Sequence, residues 1–397
     1  MQYELLTGAT GLLGSQLLSQ SVAAGRHLAV LVRSQSGRSA RQRVSEPEVK
    51  VVQGDLTRPD LGLSQEDEKW LAEHCQRVVH CAASLQFQVQ ASTSEPYRTN
   101  VDGLRHLLGL CQRLHIREFH LVSTAYVCGD RDGLIGEQEL ECGQSFHNDY
   151  ERSKFLAEVL VGQAPGLDHR AIYRPSVILG QGSAFLRLAW LLGLDDLELA
   201  REKFGLEGEA GLNLVSGEWV AGCIRRLIDQ RAVGTFHLTA RNPFRADQLL
   251  QLCADIPRPS ASVPGPVLDE LLQTYRPYLR NHPGFERKRL EAALPDCGPG
   301  HLSPPELERQ LRLALKALEP RLLLHVGDES IRLNPEGQDG AEVAAYCHAH
   351  TLDRLRSGQL SLHQALHNGS LHLEGDSPQL EPALSVLQAF LEGGSGP

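Results

Sequence analysis

A glycine-punctuated turn at the start of the chain limits the folds open to it. Tyr3 to Leu6 is a short apolar run, and Leu17, Leu18 and Val22 recur at helical spacing. Between them lies Thr7-Gly8-Ala9-Thr10-Gly11-Leu12-Leu13-Gly14. Glycines spaced G-x-x-G-x-x-G suit a tight strand-to-helix turn. There backbone N–H groups can approach a pyrophosphate while helix and strand pack closely. An ordinary loop also tolerates glycines; the strand before and the helix after give this turn its dinucleotide reading.

Strand and helix patterns then alternate. His27–Val32, Val49–Val52, Arg77–Cys81, Phe119–Ser123 and Arg170–Tyr173 read as strands. Gln65–Cys75, Glu95–His115 and a run from Tyr150 read as helices. This order predicts an α/β fold, a Rossmann-type doubly wound parallel sheet. Beyond it we expect a smaller C-terminal substrate lobe and an α+β tail. The boundaries fall at 1–240, 241–319 and 320–397. Prolines punctuate the lobe, where Val267–Tyr275, Phe285–Leu294 and Pro304–Leu318 read as helices. In the tail Leu322–Val326 and Leu371–Leu373 read as strands, and Ala341–Leu355 and Gln379–Leu391 as helices.

Three places carry candidate chemistry. Tyr150 and Lys154 form Y-x-x-x-K, one helical turn apart on one face. A phenol has a pKa of about 10, and a nearby ammonium lowers it, so the pair suits acid/base work. Many surface helices carry the same spacing without function. Ser123 and Thr124 end the fifth strand, where a hydroxyl can stabilise a developing oxyanion. Arg33 follows the second strand, where a basic residue accommodates a 2′-phosphate and so favours NADPH over NADH. Arg38 or Arg43 would assist; a solvated loop arginine is the other reading. Asp55 stands to meet an adenine edge or to cap the next turn, and Ala82 and Ala83 let a cofactor lie close.

Bulk properties narrow the class. The chain has 397 residues, 41% hydrophobic and 22% charged, which describes two or three ordinary globular domains. A net charge of -10 argues against nucleic acid as the main partner. Nine cysteines lie scattered with no C-x-x-C pair, so we expect no metal site and reduced thiols. No apolar run reaches membrane-spanning length; the longest, Ala184 to Leu194, contains Arg187. The strand pattern begins at once, and a cytoplasmic setting is expected. The acceptor pattern Asn368-Gly369-Ser370 is therefore set aside.

Together these strings resemble the extended short-chain dehydrogenase/reductase superfamily, and within it the thioester reductase and fatty acyl-CoA reductase (male-sterility type) branch. Besides the glycine turn they are Val30-Leu31-Val32-Arg33, Gly54-Asp55-Leu56-Thr57, Leu61-Gly62-Leu63-Ser64 and His80-Cys81-Ala82-Ala83. Tyr97 to Gly103, Val122 to Gly129, Asn148 to Lys154 and Tyr173-Arg174-Pro175-Ser176 complete the set. The likeness covers roughly the first 240 residues. It implies that Thr124, Tyr150 and Lys154 are catalytic, with Ser123 as the fallback hydroxyl. It also implies that Gly8, Thr10, Gly11, Leu12, Leu13, Arg33, Asp55, Leu56, Ala82, Ala83, Asn100, Tyr150, Lys154 and Pro175 surround NADPH. Ser357 to Leu360, Ala365 to Leu371 and Leu373 to Asp376 resemble the end of a sterol-carrier-type lipid-binding domain; a structural cap is the alternative.

The resemblance implies reduction of an acyl thioester, on CoA or an acyl-carrier protein, to an aldehyde, with further reduction to an alcohol as the alternative outcome. One rival is a ketoreductase, hydroxysteroid-type dehydrogenase or sugar-nucleotide epimerase on the same scaffold. The other is a non-catalytic nucleotide- and lipid-binding protein.

Overall fold

The computed structural model describes residues 2–34, 38–88, 95–180, 211–245, 283–316, 320–327, 329–333, 338–368 and 370–374. Isolated positions at 248–249, 251–252, 277–278, 383, 387–388 and 390–391 are also described. The reading of Val267–Tyr275, the run Ala184–Leu194 and most of Gln379–Leu391 lie outside these residues.

The chain divides into two compact units. The first comprises Met1–Leu179, Glu207–Ala246 and Arg276–Leu302. Its centre is a seven-stranded sheet: β1 (Tyr3–Thr7), β2 (Leu28–Val32), β3 (Lys50–Gln53), β4 (Cys75–His80), β5 (Glu118–Val122), β6 (His169–Pro175) and β7 (Gly234–Leu238). In space they run β3-β2-β1-β4-β5-β6-β7, all parallel. The strand order reverses between β1 and β4, which opens a crevice at their carboxyl ends.

The strands read as unbroken apolar runs because both faces are covered. Alternate residues enter two separate cores. On one face Leu6, Val30, Val79 and Tyr173 pack with Leu13 and Leu17 of α1 (Leu12–Ala23) and with Val220, Ile224 and Leu227 of the helix Gly217–Asp229. On the other face Leu5, Ala29, Leu31, Val78 and Phe119 pack with three helices. These are α2 (Gln65–His74), α3 (Gly103–Arg113) and α4 (Asp149–Gln163), through Leu71, Leu104, Leu107, Ala157 and Val161. The expected doubly wound α/β fold is thus present. The seventh strand went unread in the sequence, because Thr235–Leu238 is short and gains its strand character by pairing with β6.

Within this unit two sequence readings need correction. Phe285–Leu294 is not one helix: Gly284–Phe285 pairs with Leu134–Ile135, and a helix spans only Lys288–Ala293. Its start is fixed from a distance. The fully buried Glu137 carboxylate accepts Arg289 N–H at 2.6 Å and Leu290 N–H at 3.3 Å, a cap no local motif announces. Glu95–His115 is interrupted by a π-helical turn over Arg98–Asp102.

The second unit comprises Gly180–Leu206, Asp247–Tyr275 and Ser303–Pro397, so the stretch read as a helical lobe, 241–319, divides between the units. Pro304–Lys316 is helical as expected. A four-stranded sheet follows, in the order Glu329–Leu333, Pro320–Val326, Gln338–Cys347, Leu371–Glu374. Ala341–Leu355 reads as a helix in sequence, but it is a strand to Cys347 and a helix only over Ala349–Arg356. Alanine-rich helix propensity yields to pairing with two neighbours, which buries Val343 and Ala345 on one face. Leu324, Leu333, Leu352, Leu355 and Leu371 complete this unit's own core.

Candidate active site

Parallel strands deliver their successors to one edge, so residues far apart in sequence meet at the carboxyl ends of β1 to β6. Gly8 follows β1, Arg33 follows β2 and Asp55 lies just beyond β3. Ala82 lies just beyond β4, Ser123 and Thr124 follow β5, and Pro175 ends β6. Gly8 has φ +75°, and a Cβ there would stand 2.5 Å from the Ala82 nitrogen. A Cβ on Gly14 would collide with the Gly8 carbonyl. Only glycine permits this close approach. Gly11 opens α1 with no side-chain cap, so first-turn N–H groups keep their positive end of the helix dipole for an anion. Thr7 Oγ1 lies 2.7 Å from His80 Nδ1 and accepts the Ala82 N–H at 3.2 Å, fixing the floor of this cradle. Burial, with Lys154 nearby, pushes His80 down to about 3 and keeps it neutral.

Arg33 is exposed at the end of β2. Arg43 donates to the Arg33 carbonyl at 2.8 Å and to Thr10 Oγ1 at 3.2 Å, tying this strand end to the glycine turn. Asp55 Oδ1 accepts the N–H and the hydroxyl of Thr57, both at 2.9 Å, so it does cap the next turn. Burial pushes Asp55 up, but the Thr57 bonds, then Arg33 and Arg58, hold its carboxyl below the ordinary value. The Leu13 and Leu56 side chains are buried in the two cores, so these residues offer a cofactor only backbone.

Lys154, 3% exposed, donates to the Val122 carbonyl at the carboxyl end of β5, 2.5 Å away. Burial pushes its ammonium down to about 8, against the opposing influence of Cys81 and Glu158. Tyr150 is half-buried, and its ring lies 5.5 Å from Phe87. Thr124 starts the 3-10 turn Ala125–Cys128, which packs on α4, and its Oγ1 accepts the Tyr126 N–H at 3.3 Å. The Ser123 and Ser176 hydroxyls are buried here without a hydrogen-bond partner. These orphaned hydroxyls, the glycine cradle and the uncapped helix fit a bound dinucleotide.

Asn100, 2% exposed, locks the pieces together from the π-helical turn. It accepts the Ser84 N–H at 2.7 Å, and its amide donates to the Ser84 carbonyl at 3.0 Å and to Ser153 Oγ at 2.9 Å. Ser153 Oγ in turn donates to the Tyr150 carbonyl at 2.7 Å. Ser153 and Phe87 had no role in the sequence reading. Ser153 lies inside the quoted Tyr-to-Lys string, but nothing local pairs it with Asn100, 53 residues away.

Among the described residues, one group offers three metal-type ligand atoms within 4.8 Å: Glu118, His120 and His169. It lies at the amino ends of β5 and β6, opposite the cradle. Glu118 there already faces Arg77 Nε at 3.2 Å and His120 Nε2 at 3.0 Å. The cysteines among the described residues are free thiols, and no helix among them is long and apolar enough to cross a membrane.

Fold and site define a Rossmann-type α/β module whose strand ends carry the features of a dinucleotide site. Residues 6–186 match the NAD-binding family model described as Male sterility protein, which bears out the resemblance read from the motifs. Fatty acyl-CoA reductase 1 of Homo sapiens is 28% identical over 221 residues, 44% of this chain and 42% of that protein. The chain thus spans less than half the length of this curated relative. The terminal R domain of the myxalamid PKS-NRPS biosynthetic pathway superposes with a TM-score of 0.64 at 24% identity, covering 80% of this chain and 90% of that one. A UDP-glucose 4-epimerase from Thermus thermophilus, in complex with NAD, gives 0.56 at 18% identity, covering 79% and 99%. These two likenesses are of fold.

Proposed function

We propose that this chain is an NADPH-dependent oxidoreductase that reduces an acyl thioester, carried by CoA or an acyl-carrier protein, to an aldehyde and a free thiol. The single observation behind the reading is Lys154: a buried cation donating to Val122 O, one helical turn from Tyr150 and beside the strand end that carries Thr124. The match to the Male sterility protein model over this stretch and the likeness to fatty acyl-CoA reductase 1 support it.

Gly8, Gly11 and the first turn of α1 would hold the pyrophosphate, Arg33 the 2′-phosphate, and Lys154 the nicotinamide ribose. When bound, the reduced nicotinamide supplies hydride to the thioester carbonyl. Tyr150 and Thr124 donate hydrogen bonds to the carbonyl oxygen as it gains charge. Thr124 is suited to this because its oxygen already accepts Tyr126 N–H and its proton stays free. Tyr150 delivers one proton, and the Lys154 ammonium stabilises the phenolate left behind. One hydride and one proton yield a thiohemiacetal; its C–S bond breaks, the thiol leaves and the aldehyde remains. A second hydride, from a second NADPH, and a second proton would carry the aldehyde on to the alcohol. We assign 320–397 to holding the acyl chain.

The test is incubation with NADPH and a panel of acyl-CoA and carrier-bound thioesters. NADPH consumption, thiol release and products identified by mass spectrometry are followed together. Thiol released one-for-one with aldehyde supports the reading. NADPH oxidised with ketones but without thiol release assigns the rival ketoreductase class. Tight NADPH binding with no turnover on any carbonyl assigns a binding protein.

A further inference from the structure

Tyr150 is followed by a carboxylate that the chemistry above does not use. Glu151 is fully buried. It accepts the Tyr278 hydroxyl at 2.7 Å, the His147 N–H at 3.0 Å, and contacts from His147 Nδ1 at 3.2 and 3.3 Å. Asn148 closes the ring: its amide donates to the Tyr278 oxygen at 2.8 Å, and its Oδ1 caps α4 by accepting Glu151 N–H at 2.9 Å. A buried carboxylate demands such donors, since an unpaired one is costly. Three members of the ring flank Tyr150 in sequence, and the fourth arrives from 127 residues away. The Tyr278 ring also stands 6.4 Å from Phe87, whose own ring lies 5.5 Å from Tyr150 and whose carbonyl accepts Asp149 N–H at 3.0 Å.

Resting on the reductase reading above, we propose that Tyr278, through the Glu151 carboxylate and Asn148, is a positioning residue for Tyr150. The first turn of α4 is gripped on two sides. Ser153, held by Asn100, bonds the Tyr150 carbonyl, and Tyr278 bonds Asn148 and Glu151 on either side of it. Tyr278 is not itself the acid. Burial, then the Glu151 charge, raises its hydroxyl well above the usual phenol value, so it stays a neutral donor. Without it the turn relaxes, and Tyr150 meets the developing oxyanion at the wrong distance.

The test compares Tyr278→Phe, Glu151→Gln, their double variant and Tyr150→Phe in the full chain, with NADPH and octanoyl-CoA as probes. Loss of a hydrogen bond that acts only through Tyr150 should lower kcat about tenfold. NADPH affinity should change less than about twofold, since the residues given to the pyrophosphate and the 2′-phosphate, Gly8, Gly11 and Arg33, are not members of the ring. The solvent deuterium isotope effect on kcat should rise, because proton delivery becomes slower. The double variant should be no worse than the poorer single one, as for residues acting as one unit. If Tyr278→Phe fails to fold, Asn148→Ser, which keeps the helix cap but removes the donor to Tyr278, is read by the same measures. Wild-type kcat and isotope effect in these variants, beside an inactive Tyr150→Phe, overturn the proposal alone. A parallel loss of NADPH binding and kcat with an unchanged isotope effect also overturns it, as a structural role. An active Tyr150→Phe overturns the reductase reading instead.

Discussion

At the scale of the residue, Lys154 links burial to pH. Its ordinary pKa is 10.5 and the fold draws it to about 8. Between those values the unfolded chain keeps a proton that the folded chain has shed, so stability rises with pH across that window. The ammonium that supports Tyr150 is lost over the same rise. We therefore expect kcat/KM, which reports the free enzyme, to fall above about pH 8. A pH profile checks this, and Lys154→Arg should move the limb upward. Tyr150→Phe should cut turnover at least about a hundredfold while NADPH binding stays intact, in line with the roughly 10²–10⁴ of a positioned acid. Near-normal rates in that variant would refute the assignment. Arg33→Ala should weaken NADPH about 10- to 100-fold and NADH little, the scale of a charge-assisted hydrogen bond. Equal losses for both cofactors, by fluorescence titration, would leave Arg33 a solvated loop residue. These residue types and spacings were legible in sequence. The buried state of Lys154 was not, because its partner is a backbone carbonyl 32 residues away.

At the scale of the element, local signals succeeded where a cap or periodic face was close in sequence. Ser64 caps α2 through Asp67 N–H, and Asn148 caps α4, near where both starts were read. They failed where the deciding partner was remote. The helix Lys288–Ala293 takes its N-terminal acceptor from Glu137, which also accepts His237 N–H of β7 at 3.1 Å. One carboxylate therefore fastens three segments. Glu137→Ala should leave two buried N–H groups, of Leu290 and His237, and the part-buried one of Arg289 without that acceptor, at a cost on the order of 2–4 kcal/mol, from about 1–3 kcal/mol per lost partner with partial relaxation. Thermal or urea unfolding checks it; a loss within about 0.5 kcal/mol, the range of ordinary surface changes, would show that solvent replaces the acceptor. The π-helical turn over Arg98–Asp102 is likewise invisible in propensity. It turns Asn100 toward Ser84 and Ser153 rather than along a regular helix.

At the scale of the whole molecule, every residue assigned to the cofactor or to proton delivery precedes residue 180, within the first unit. Among the described residues of 320–397, Leu324, Val343 and Leu371 belong to a core of their own. A chain ending near Pro320 should therefore still bind NADPH. It should lose affinity for long acyl thioesters more than for short ones, because each buried methylene is worth about 0.8 kcal/mol. A KM series over chain length checks this. Uniform change across the series, or unfolding, would make the tail a structural cap.

The amino-acid sequence by itself determined the doubly wound sheet, the glycine turn and the identity of the Tyr-x-x-x-Lys pair. Each is written in contacts within a few residues or in a repeating apolar period. Only the tertiary structure decided what completes them. The β7 edge, the strand at Gln338–Cys347, the Glu137 clamp and the ring joining Glu151 to Tyr278 depend on partners brought together across long loops. A buried polar group takes whichever partner the packed fold presents, and no neighbour in sequence records that choice.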